Sequence, residues 1–169
     1  LPLDGSELPV WVQPAPAAGG GVVLGEVEMG LEDAVEITNA SPQVVSLAGW
    51  KVVARRNGFS TGPEREAVLP AGTVLSPGRS LVVHEGGDAG QDGPGDLHPE
   101  GWSAPWREGH EGACILYDDQ GVAVDFLRWD GGVPSSEPVP PGLDFSGSLE
   151  APAFGQVLAR RYGLAAGHA

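Results

Sequence analysis

Between Val22 and Trp129 the chain is written in short runs in which apolar and polar residues take turns. Val35 and Ile37 fall on one side of such a run and Glu36 on the other, the two-residue period of a strand with one buried face. The same reading predicts strands over Val22–Met29, Ala34–Thr38, Val44–Leu47, Lys51–Ala54, Ala67–Leu69, Thr73–Leu75, Ser80–Val83, Ala113–Tyr117 and Val122–Trp129. Turn chemistry separates them: Asn39-Ala40-Ser41-Pro42, Pro70-Ala71-Gly72, Ser76-Pro77-Gly78 and Asp118-Asp119-Gln120-Gly121. No stretch carries a convincing helical period, and phase alone leaves the region Phe154–Tyr162 open between a short strand and a helix. Many short strands with turns between them predict an all-β sandwich. Its expected core includes Ile37, Leu47, Trp50 and Val82. Trp50, led in by the small pair Ala48-Gly49, is expected at the centre, where truncation would cost roughly 3–5 kcal/mol.

Composition sharpens this picture. Gly 27 and Pro 16 make up about a quarter of 169 residues, which suits turns and opposes helices. Residues 1–21 are rich in Pro, Ala and Gly and read as a loose arm, although Val10-Trp11-Val12 could lie on a sheet edge. Residues 22–130 form the domain. Residues 131–169 are an extension that could pack on the sandwich. No apolar run approaches membrane-spanning length, and the start at Leu1-Pro2 reads as that of a piece of a longer protein. The net charge of −14 excludes nucleic acid and anionic membrane as partners, because paired arginines at 55–56 and 160–161 are the only basic clusters.

With this order of motifs on the page a family becomes visible. Gly25-Glu26-Val27, Asp33 to Asn39, Val45 to Trp50, Leu69 to Val83 and the hairpin Cys114 to Asp125 together resemble the lamin tail domain. Phe154 to Arg161 is similar to a short motif that follows the domain in some bacterial relatives. The resemblance implies an immunoglobulin-like β-sandwich acting as a non-catalytic protein-interaction or scaffolding module. It also implies a parent protein that is exported or surface-associated.

Residues 85–112 stand apart as a long acidic, Gly-rich loop. From Glu85 to Asp119 there are nine acids against one base, Arg107. Asp88, Asp92 and Asp96 could offer oxygen ligands to calcium, though their spacing is not that of a helix–loop–helix site. His98 and His110 lack the paired spacing of a zinc site. Trp102 and Trp106 in the same loop are the candidate partner-binding residues. Exposed, they could stack on sugar rings, which makes a carbohydrate-binding module the alternative function; folded back, they would anchor the loop. Gly58-Phe59-Ser60-Thr61-Gly62 matches a nucleophile-elbow pattern, but Pro63 follows and no helix does, so no enzyme is expected. Cys114, the single cysteine, sits in an apolar run as an inert buried thiol, and Glu36 is read as a solvated strand residue.

Overall fold

The computed structural model describes residues 21–30, 32–56, 64–87, 89–107, 109–131, 138–143, 149–150 and 156–159, with Ala89 and the last two stretches described as backbone only. Apart from Gly21, the expected N-terminal arm lies outside them. Among the described residues twelve strands run in order: β1 Val22–Met29, β2 Ala34–Asn39, β3 Val45–Ser46, β4 Lys51–Arg55, β5 Glu64–Val68, β6 Val74–Leu75, β7 Ser80–His84, β8 Asp96–Leu97, β9 Gly112–Tyr117, β10 Ala123–Asp130, β11 Leu149–Glu150 and β12 Gln156–Ala159. One 3-10 turn, Ala89–Gln91, is the only helical element among the described residues. One sheet has the order β12-β1-β2-β7-β8, the other β11-β10-β9-β4-β5, and β3 and β6 form a small pair of their own. Apolar residues of both large sheets share one core, as the sandwich expectation requires.

Register decides which residues enter that core. Val35 pairs with Val83 and Ile37 with Leu81, and all four are buried. Val82, expected in the core, pairs instead with Glu36 and Asp96 and is only half-buried. A strand's side chains alternate between faces, so placing Leu81 and Val83 inward turns Val82 outward. Leu47 is fully buried. Trp50 is buried but lines a groove of about 530 Å³ with Val22, Pro42 and Val45 at one end of the sandwich. Trp50 belongs to the shared core, in which Trp129 is the largest side chain with no exposure.

The turns are set by glycine where the backbone demands it. Trp50 N–H donates to Leu47 O (3.0 Å) with Gly49 at φ 78°, and Thr73 N–H donates to Pro70 O (3.2 Å) with Gly72 at φ 88°. Positive φ at the third turn residue is the type II pattern, which favours glycine there. Asn39, fully buried at the end of β2, ties three segments together. Its Nδ2 donates to Gln43 O (2.7 Å) and Leu75 O (2.9 Å), while its Oδ1 accepts from Ser41 N–H (2.9 Å) and Ser41 O–H (2.7 Å).

The two sheets are also tied by a buried carboxylate. The ladder of β1 and β2 slips between Leu24 and Glu26, and that of β10 and β9 slips between Ala123 and Asp125. Such bulges leave backbone groups without ladder partners. Asp125, 3% exposed, accepts Leu24 N–H (2.7 Å) on one oxygen and Phe126 N–H (2.8 Å) on the other. On the outer face of the second sheet, Val53, Ala113, Ile115 and Phe126 form a separate buried cluster, against which Val139 and Leu143 of the C-terminal extension pack. Cys114 is fully buried and unbridged.

Candidate functional site

A pocket of about 300 Å³ opens at the end of the sandwich away from Trp50. Met29 closes β1, Gly30 and Asp33 stand in the link to β2, and Glu85 follows β7 directly; Ala104, Trp106 and Arg107 come from the long insertion. The β1–β2 link and the end of β7 meet because β2 pairs with β7 down to Ala34 and His84. Glu85 N–H donates to Asp33 O (2.7 Å), and Asp33 N–H donates back to a Glu85 carboxylate oxygen (3.3 Å). The second Glu85 oxygen accepts the Ser103 hydroxyl, which connects the insertion to this corner. Asp33 is 7% exposed, and its Oδ1 accepts Gly30 N–H (3.0 Å). Burial pushes the Asp33 carboxyl up to about 6; the Gly30 hydrogen bond acts against this, and the nearby Glu85 and Glu28 carboxylates add to it.

The insertion is ordered against the sandwich over its described residues. Trp102 and Trp106 are 3% and 6% exposed, which removes them as stacking platforms for a sugar. Trp106 Nε1 donates to Ala113 O (3.1 Å), and its ring meets Trp129 edge to face at 5.2 Å. A buried indole with its N–H satisfied and an aromatic neighbour is an anchor. Trp102 O accepts Gly86 N–H (3.3 Å), which pins the insertion to its own start.

The acids proposed for calcium are arranged differently. Asp88 lies outside the described residues. Asp92 accepts His98 N–H (2.7 Å) and lies 3.4 Å from His98 Nδ1, while Asp96 lies 3.0 Å from His84 Nε2. The two imidazoles stack at 4.7 Å, so Asp92 and Asp96 each serve their own histidine instead of converging. Among the described residues no three His, Cys, Asp or Glu side chains converge on a common point. Glu36 accepts the Thr38 hydroxyl (2.9 Å) on the outer face. The Gly58–Gly62 pattern lies outside the described residues.

Sequence reasoning passed over Asp33 and treated Glu85 as one acid of the loop. The usable signal was their flanking position: each stands at the end of a strand, and β2 and β7 are neighbours.

The lamin tail domain profile matches residues 15–131, more than two-thirds of the chain. The chain belongs to the lamin tail domain family. Comparison with curated proteins gives no match. Membership accounts for the immunoglobulin-like sandwich, a fold that generally serves as an interaction module. In this lamin tail domain the acidic pocket is built from the two strand ends and the insertion, all inside the matched span. β11 and β12 lie beyond it. No helix among the described residues is long and apolar enough to cross a membrane.

Proposed function

We propose that this lamin tail domain is a non-catalytic protein-interaction module whose Asp33–Glu85 pocket seats a basic side chain of its partner. One observation carries the reading. Asp33 is held in a partly enclosed pocket beside a second carboxylate, where its ionised form is disfavoured. A lysine or arginine entering there would relieve that unfavourable charge, and the overall charge of −14 would draw a basic partner towards the domain. Trp106 lines the same pocket, and its indole offers apolar surface to the methylene stem of such a residue. The parent protein is read as exported or surface-associated, on the resemblance to bacterial lamin-tail proteins.

The test is capture of partner proteins from extract of the source cells on the immobilised chain, beside an Asp33→Asn/Glu85→Gln variant. Capture that weakens at least tenfold in the variant, weakens with added salt, and falls between pH 7 and pH 5 as Asp33 takes up its proton supports the reading. Capture unchanged in the variant refutes it. A chelator arm reads out calcium: loss of capture on chelation would turn attention to the acidic insertion.

A further inference from the structure

A third charge lines the Asp33–Glu85 pocket. Arg107 borders the same cavity of about 300 Å³, and it is the only base between Glu85 and Asp119. Its backbone is held from both sides. Trp106 before it is anchored by the Ala113 carbonyl and the Trp129 ring, and the Arg107 carbonyl accepts His110 N–H (3.1 Å) to close a turn. Among the described residues no ion pair joins Arg107 to Asp33 or to Glu85.

The acidic side of the cavity is unmatched as well. Glu85 commits one oxygen to the Ser103 hydroxyl and the other to Asp33 N–H. Asp33 gives one oxygen to Gly30 N–H, and among the described residues the other accepts no hydrogen bond. With 7% of its surface exposed and the cavity against it, Asp33 leaves that oxygen to an occupant. Its carboxyl is also raised, where a guanidinium laid against it would lower it. Unlike charges that line one cavity without meeting suit an occupant that carries both, its cation towards the acids and its anion towards the arginine. Met29, Ala104 and Trp106 supply the apolar part of the wall. The volume is at the small end for ligand pockets, which suits a single residue.

We propose that the pocket reads the C-terminal residue of a partner protein that ends in lysine or arginine, its side-chain cation on Asp33 and Glu85 and its terminal carboxylate on Arg107. The proposal rests on the function given above and adds which basic residue of the partner is read. Only the last residue of a chain carries a side-chain cation and a backbone carboxylate together. The guanidinium fork meets both oxygens of such a carboxylate. A net charge of −14 repels carboxylates at long range, so a preference for the free chain end must come from a local cation.

The full chain is titrated into three dye-labelled peptides while fluorescence anisotropy is followed. They are Gly-Ser-Gly-Lys with a free carboxylate, the same peptide amidated, and Gly-Ser-Gly-Ala with a free carboxylate. The free lysine peptide is expected to bind about tenfold more tightly than either of the others. Arg107→Gln should bring it down to the amidated peptide and leave the latter unchanged, and Arg107→Lys should keep part of the difference. Arg107 is exposed, so neither change reaches the core, and unchanged melting temperatures verify the fold. Asp33→Asn/Glu85→Gln should weaken both lysine peptides. If the free and amidated lysine peptides bind alike and above the alanine peptide, the chain-end proposal is overturned while the basic-side-chain reading stands. Lysine peptides no tighter than the alanine peptide overturn both. Equal weakening of both lysine peptides by Arg107→Gln overturns the role given to that arginine. Free lysine that displaces the peptide at equal or lower concentration would make the amino acid the ligand and overturn the protein partner.

Discussion

Replacing Asn39 gives the most direct test of the packing argument. Its side chain makes four hydrogen bonds from a position with no exposure, and Asn39→Ala removes all of them. Gln43 is exposed, so its carbonyl can turn to water, and Ser41 is half-buried. The Leu75 carbonyl keeps its ladder partner Val45 across the β3–β6 pair, so losing Asn39 there costs one buried hydrogen bond and leaves no orphaned acceptor. At roughly 0.5–1 kcal/mol for each of the four bonds, the expected loss is about 2–4 kcal/mol. Asn39→Asp should lose at least as much at pH 7, because it presents a carboxylate to two carbonyl oxygens where the amide donated. Those carbonyls raise the pKa of the introduced acid in the folded state. Its cost is therefore small below about pH 4 and grows as the pH rises through the folded pKa. Urea unfolding followed by tryptophan fluorescence, at pH 7 and pH 4, measures both effects. An Asn39→Asp variant within 1 kcal/mol of the parent at pH 7, or equally destabilised at both pH values, would show that the amide is not the tie described.

Asp33 ionises near pH 6 in the folded chain against 3.8 in the reference state, so its contribution favours folding below about pH 4 and is lost as the pH rises through about 6. Asp33→Asn should therefore raise stability at pH 7 by about 3 kcal/mol and match the parent near pH 4, as thermal melts across that range would reveal. Gly112→Ala would place a methyl 2.5 Å from the Trp129 ring, which is fully buried and cannot give way. A loss of about 3 kcal/mol is expected, and a melting temperature within a degree of the parent would count against that packing. Trp106→Ala should cost about 3–5 kcal/mol and disturb the insertion, whereas an unchanged denaturation midpoint would return Trp106 to the surface.

Much of the fold is readable from the alternation of the strands, as Val35 and Ile37 show. Leu81-Val82-Val83 defeats the method, because three apolar residues in a row carry no phase until Val35 and Ile37 choose two of them. β5 escaped in part for the opposite reason. Glu64-Arg65-Glu66 holds no apolar residue, and its strand character rests on pairing across to Arg55 and Lys51. Trp102 and Trp106 were visible as anchors or platforms, and only the path of the insertion decides between them. The pocket was hidden because Asp33 and Glu85 are 52 residues apart, joined by sheet topology that a linear pattern does not carry.

The Asp125 carboxylate reaches Leu24 across 101 residues of sequence. During synthesis the amide of Leu24 leaves the ribosome long before the Asp125 carboxylate exists. The first strand must therefore wait, hydrated and unlocked, until the last hairpin has been made. A chain interrupted anywhere before β10 lacks the clasp that joins β1 to the opposite sheet. Quality control that senses loose first strands would recognise such a product, and closure of the domain becomes a late event that reports the completion of the chain.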